Sequence, residues 1–217
     1  MKKLIIGVFV VACMSMTSWA QGLKTTGSGA VDIVPDNWES IFETGDMNKD
    51  GIADLVVIAT PCHKDKMTVR NDGYVYNFNQ PVLAIYWGNK NGGFKLFKQY
   101  DYVIPARPSE FVDITPSLTI NSKGVLEITL ETFASAGSWE QPTTTYKYRY
   151  QNGDFFLIGK DEEVIKRNTG MITETSENYL THKRIVTTKS ASSEKSKSRR
   201  SVLPKTALQR LGKPLDE

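Results

Sequence analysis

The clearest chemistry in this chain lies in Asp46-Met47-Asn48-Lys49-Asp50-Gly51-Ile52-Ala53-Asp54, which has the form D-x-N-x-D-G-x-x-D. A hard cation such as Ca²⁺ takes roughly six to eight oxygen ligands at about 2.3–2.6 Å. Asp46, Asn48 and Asp50 place side-chain oxygens at alternate positions, where a chain wrapping around one ion would converge them. Gly51 suits the sharp turn that a Cβ would hinder. Ile52 would supply its backbone carbonyl while its side chain enters the core, and Asp54 would close the shell directly or through water. Without a cation the three carboxylates repel one another, so the bound ion should order the loop. The spacing therefore predicts a structural Ca²⁺ site at Asp46, Asn48, Asp50, Ile52 and Asp54. Gly51 and four regularly spaced oxygen residues argue against a turn that is only solvated.

Other reactive side chains are sparse. Two histidines, His63 and His182, are too few for a multi-histidine zinc centre. Cys62 beside His63 suggests a thiol nucleophile, but neighbours on a strand point to opposite faces. A small buried thiol at a strand end is the simpler expectation. No G-x-S-x-G elbow, phosphate-binding loop or H-E-x-x-H helix occurs. Carboxylate pairs suited to glycoside hydrolysis stay open because Asp and Glu are abundant. Whether the chain is an enzyme is thus undecided, with a hydrolase the least favoured class.

The elements that must position the loop read as β-structure. Leu55-Val56-Val57-Ile58-Ala59 is a continuous apolar run, as in a buried strand. Pro81 to Trp87 gives a second run, and Asn91-Gly92-Gly93 turns it back through Phe94-Lys95-Leu96-Phe97. Leu126-Glu127-Ile128-Thr129-Leu130-Glu131 alternates cleanly, as does Tyr146-Lys147-Tyr148-Arg149-Tyr150, and Asn152-Gly153 leads into Phe155-Phe156-Leu157-Ile158. Antiparallel pairing would put Glu127 and Glu131 on one face with Lys147 and Arg149, helping to set register. The tyrosine stripe is expected to pack on the core rather than to stack on sugars, whereas Trp139 fits either an exposed ligand platform or a plug at the sheet end. The two Asn-Gly hairpins form a faint internal repeat. The predicted class is all-β, with antiparallel meander sheets in a propeller-like or sandwich-like arrangement.

Because the D-x-N-x-D-G-x-x-D loop runs into a strand and has Val57 where an EF-hand needs its bidentate Glu, it is not an EF-hand. With the preceding Ile41-Phe42-Glu43-Thr44-Gly45 it resembles the calcium loop of FG-GAP/VCBS repeats, known from integrin alpha-type propellers. The resemblance covers residues 41–59, once. It implies calcium held at the five positions above and an exported β architecture, without implying a whole propeller.

The ends differ from this body. Met1 to Ala20 reads as a signal peptide: Lys2 and Lys3, an apolar stretch from Leu4 to Ala12, then Ser18-Trp19-Ala20. Val10-Val11-Ala12-Cys13 also resembles a lipobox, which would leave a lipoprotein anchored through Cys13. Residues 183–217 hold ten Lys or Arg against three acids, while residues 21–182 hold 15 basic against 21 acidic residues. The Ser/Lys-rich stretch 187–201 lacks apolar periodicity and is expected to be a disordered basic tail. Val202 to Leu211 could add a helical turn with Leu208 and Leu211 on one side. The expected organisation is a signal peptide (1–20), a β domain (21–182) with its calcium loop at 46–54, and a tail (183–217). The expected function is a calcium-stabilised periplasmic or extracellular module that binds or adheres to a glycan or protein. The alternative is a periplasmic or lipid-anchored envelope accessory protein whose tail docks on an anionic polymer or lipid. Nucleic acid is not an expected partner, since no aromatic residues interleave with the tail's charges.

Overall fold

The computed structural model describes residues 22–193 and 195–215. The proposed signal peptide and Cys13 lie outside the described residues. The chain opens with β1 (Thr26–Gly27), one helical turn α1 (Ala30–Ile33), β2 (Glu39–Gly45) and β3 (Asp54–Thr60). A short ribbon follows, β4 (Met67–Val69) and β5 (Val75–Asn77), and then β6 (Val82–Gly88) and β7 (Phe94–Tyr100). The second half is a meander: β8 (Val112–Ile120), β9 (Val125–Ala134), β10 (Glu140–Gln151), β11 (Asp154–Lys166), β12 (Met171–Asn178), β13 (Lys183–Ser190) and β14 (Ser196–Val202).

Twelve of these strands form a five-stranded sheet, β1-β7-β6-β3-β2, and a seven-stranded sheet running from β14 to β8 in reverse chain order, while β4 and β5 pair only with each other. All strand pairings are antiparallel. The fold is thus all-β and sandwich-like. β2 and β8 lie side by side, and they meet so closely that a Cβ on Gly45 would come within 2.7 Å of Ile120. The two sheets join there into half of a barrel.

The core explains why β3 reads as a continuous apolar run. Val56 and Ile58 face the second sheet, packing with Leu83, Ile85, Leu126 and Tyr148. Leu55, Val57 and Ala59 face the other way, beneath Ile33 and Val34 of the N-terminal segment. A strand covered on both faces has no reason to alternate. The tyrosine stripe behaves as expected of core: Tyr146 and Tyr148 are buried, and Tyr150 packs against Trp87, Phe97 and Phe155 with ring centroids 5.0, 5.9 and 5.3 Å away. Those rings come from the β6–β7 and β10–β11 hairpins, so the two halves of the faint repeat pack tip against tip. Each hairpin also carries a register break, at Ile85/Tyr86 and at Lys147/Tyr148.

The expected antiparallel pairing of β9 with β10 is present, and it sets Lys147 opposite Glu127. The charges are partnered otherwise: Lys147 pairs with Asp161 of β11, and Glu127 accepts a hydrogen bond from Asn121 Nδ2 at 3.1 Å. Cys62 is half-buried rather than buried, 3.6 Å from Asn77 Nδ2, and His63 beside it is exposed.

The disordered tail is corrected by the structure. Residues 183–190 and 196–202 are β13 and β14, continuing the large sheet beyond the sandwich. Their stabilisation comes from the hydrogen-bonded ladder and from cross-strand charges, so apolar periodicity gives no sign of it. Arg184 lies opposite Glu177 with an ion pair of 3.4 Å, and Lys189 pairs with Glu174. Nor does Val202 to Leu211 form a helical turn. The chain returns extended to the sandwich, where Leu157 N–H donates to Gln209 O (2.8 Å) and Leu211 N–H donates to Phe155 O (2.9 Å). It occupies the stretch of β11 that β12, paired only from Gly159 onward, leaves open. Leu211 and Leu215 are buried in the core as a strap across the open side.

Candidate functional site

The loop joining β2 to β3 holds the predicted metal residues. It is wound by its own side chains. Asp46 Oδ1 accepts the amide of Asp50 (3.1 Å), and Asp46 Oδ2 accepts that of Gly51 (3.1 Å). Asn48 Oδ1 accepts the Asp50 amide at 3.0 Å, and Asp50 Oδ1 accepts the Ile52 amide at 2.8 Å. Lys49 and Gly51 both take left-handed backbone, φ 66° and 83°. Gly51 therefore stands where its sequence position required it, and Lys49 is a non-glycine residue held in that region.

Asp54 is placed differently from the other ligand candidates. Its side chain is 0% exposed, at the base of the loop. Oδ2 accepts the amides of Met47 (2.9 Å) and Asn48 (3.3 Å), and Oδ1 accepts that of Gly88 (3.1 Å) at the end of β6. Burial pushes this carboxyl above the ordinary aspartate range, the three amide hydrogen bonds act in the opposite direction, and the nearby Asp50 charge adds to the rise. Asp54 thus ties the loop's entry, its exit and a third strand together. Gly88 is required at that junction, because a Cβ there would lie 2.1 Å from Ala53 O.

The loop also reaches the second sheet. Lys49 Nζ donates to Ser122 O at 3.2 Å in the β8–β9 turn, and a Cβ on Gly124 of that turn would lie 2.6 Å from Asp46 O. The loop is therefore wedged where the two sheets meet. Asp46, Asn48 and Asp50 bring only oxygen acceptors and amide nitrogens to this loop, and oxygen is the donor type a hard cation selects. Among the described residues no group of three or more His, Cys, Asp or Glu side chains stands ready as a metal cluster.

Two further surfaces escaped the sequence reading or were left open by it. Trp139, in the loop after β9, is 65% exposed. Arg167 pins that loop by donating to Ala134 O (2.6 Å) and Ser138 O (2.7 Å), and its guanidinium carbon lies 4.9 Å from the Phe133 ring centroid. Of the two readings of Trp139, the exposed one describes its position. The second surface is a cleft between β2, β8 and the β4–β5 ribbon, lined by Tyr74, Asn79 and Arg107 among others. Nothing in local spacing announces it, because its walls come from five separate segments.

No family model, curated protein or solved structure matches the chain. Among the described residues no helix is long and apolar enough to cross a membrane.

Proposed function

We propose that the protein is an exported, calcium-stabilised β domain that acts as a binding or adhesion module for a glycan or protein ligand. The observation that supports the calcium part is the self-wound loop wedged between the sheets, in which the side-chain oxygens of Asp46, Asn48 and Asp50 accept the loop's own amides. Asp46, Asn48, Asp50 and the Ile52 carbonyl would hold the ion, with Asp54 bracing the loop beneath it through the amides of Met47, Asn48 and Gly88. A bound Ca²⁺ would neutralise the loop carboxylates and fix the two sheets against each other. Its role on this reading is structural, and ligand contact falls to the surfaces beyond the loop.

Thermal unfolding of the full chain in excess calcium and then in chelator tests this. A ligand that binds only the folded state at about a hundred times its Kd adds roughly 2.7 kcal/mol. The expected result is a clear calcium-dependent rise in Tm that Asp50→Ala abolishes, while the Tm in chelator hardly changes. An identical Tm in both conditions, with no calcium heat by calorimetry, would remove the ion from the account.

A second reading, an envelope accessory protein docking on an anionic polymer or lipid, draws support from the ordered basic edge. Lys183, Arg184 and Arg200 line a surface groove across β13 and β14. Lys197 and Arg199 stand on the same exposed edge strand. Charges on an edge strand also deter edge-to-edge association, so this reading ranks second. Salt-sensitive co-sedimentation with anionic vesicles, lost in a Lys183→Glu/Arg200→Glu variant, would favour it.

A further inference from the structure

Strand β14 ends the large sheet on one side and is exposed along its whole length. Its ladder to β13 runs without a register break, and the strand contains no proline. One pair beyond that ladder, Leu203 N–H donates to His182 O at 2.8 Å. In an antiparallel pair, hydrogen-bonded and non-hydrogen-bonded positions alternate. The backbone groups of Lys197, Arg199 and Ser201 therefore face β13, and those of Ser196, Ser198, Arg200 and Val202 face away from it. An edge of this kind is a template for a further strand, and its side chains decide which strand it accepts.

Those side chains are cationic and unspent. Lys197, Arg199 and Arg200 make no ion pair among the described residues. Lys197 and Arg199 stand on one face, across from Thr188 and Val186, and Arg200 stands on the other, across from Ile185. The neighbouring strand shows what such cations select: on β13, Arg184 and Lys189 pair with Glu177 and Glu174 of β12. No acid lies between Ser196 and Val202, so a second copy's β14 would set cation against cation, which is destabilising. The charges that keep out a like strand favour an acidic one. Beside them, exposed Val202 shares a face with Arg200, Ile185 and Lys183 and gives an apolar foothold at the end of the edge.

We propose that the β14 edge is a strand-addition site for an extended acidic segment of a partner protein. The segment pairs antiparallel, as every strand of the fold does, with the outward backbone groups of Ser196, Ser198, Arg200 and Val202, and sets carboxylates against the three cations. Backbone pairing of this kind supplies affinity, and the side chains supply specificity. This names the protein ligand of the binding-module reading and rests on that reading, independently of the calcium.

The probe is a capped peptide of alternating Glu and Val, titrated by calorimetry against the full chain. Two further peptides carry N-methyl groups on every Val amide or on every Glu amide, and vesicles of anionic lipid are run beside them. Only one alternate set of amides can face β14, so one methylated peptide should lose binding and the other keep it. Lys197→Glu/Arg199→Glu alters exposed groups, which an unchanged Tm would verify, and should weaken the parent peptide about tenfold or more, roughly 1.4 kcal/mol. Equal binding by all three peptides would mean attraction by charge alone and overturn strand addition. Binding of the vesicles without the peptide would overturn it in favour of an envelope surface. A silent peptide with a glycan bound through Trp139, and lost in Trp139→Ala, would overturn the edge and keep the binding module. Silence from peptide, vesicles and a glycan array together would overturn both readings.

Discussion

Strands β3 and β13 are seven and eight residues long, and each sits inside a sheet with a partner on either side. They are held by different forces. β3 buries Leu55 to Ala59 on both faces, and each large aliphatic side chain so buried contributes about 1.5–3 kcal/mol. β13 has no buried residue, and β14 beyond it is exposed throughout. What holds β13 is the ladder to β12 and β14 plus pairs such as Glu177–Arg184, each worth a few tenths of a kcal/mol at an exposed position. One chain thus builds a sandwich stabilised by burial and an extension stabilised by hydrogen bonding. The site residues follow the same division, with the loop and the cleft belonging to the buried half and the basic groove to the open one.

The strap from 203 to 215 gives the sharpest test, because it starts in the open region and ends in the core. Leu211→Ala should cost about 3 kcal/mol, as for other buried leucine truncations, read as a fall in the urea midpoint. Val202→Ala, at a position 82% exposed on β14, should change stability by less than about 0.5 kcal/mol. Equal effects would break the comparison. They would mean either that the strap contributes little to the core or that β14 is buried by a partner in solution.

Gly88→Ala comes next. The added methyl would meet the Ala53 carbonyl at 2.1 Å, and the backbone on which it sits also donates to Asp54. Overpacking of this kind costs about 1–3 kcal/mol. On the calcium reading the variant should also lose part of its calcium-dependent Tm rise, since Asp54 anchors the loop through this amide. A variant that is destabilised but keeps the full calcium response would separate the Asp54 junction from the ion.

How much of this was legible in the sequence depended on the range over which each signal acts. The Leu55–Ala59 run, the Asn-Gly turns and the alternation along Leu126–Glu131 and Tyr146–Tyr150 are local patterns, and the strands they predict are present. The loop's turn at Gly51 was equally legible. Gly88 and Gly124 were not, since their need for glycine arises from contacts with a loop far away in the chain. The tail was misread for a physical reason. Net charge counts Lys183, Arg184, Lys189 and their neighbours as one repelling block, whereas Glu174 and Glu177 on the preceding strand lie across from that block. The cleft was invisible because its walls, from Glu39 to Pro116, come from five segments far apart in the chain.

The smallest expected effects lie at alkaline pH and distinguish the two regions by sign-matched titrations. Burial pushes the Tyr86 phenol up to about 12, and it raises Tyr100, Tyr148 and Tyr179 further still. In the unfolded chain these groups ionise near 10. Folding therefore favours the protonated phenols, a stabilisation present in full below about pH 10 and lost as pH rises through the folded values. Lys189 in the extension is also raised, chiefly by its hydrogen bond to Glu174. That contribution too is complete below the ordinary lysine value and fades above it. The windows overlap, so their separation rests on substitution. Tyr148→Phe should move the alkaline unfolding midpoint upward, followed by far-ultraviolet dichroism alongside tyrosinate absorbance. Glu174→Gln should leave that midpoint almost unchanged, because an exposed pair on a strand without buried side chains has little hold on global unfolding. A midpoint displaced as far by Glu174→Gln as by Tyr148→Phe would mean that β12 to β14 unfold as one unit with the sandwich, and that the ladder alone transmits the core's stability outward.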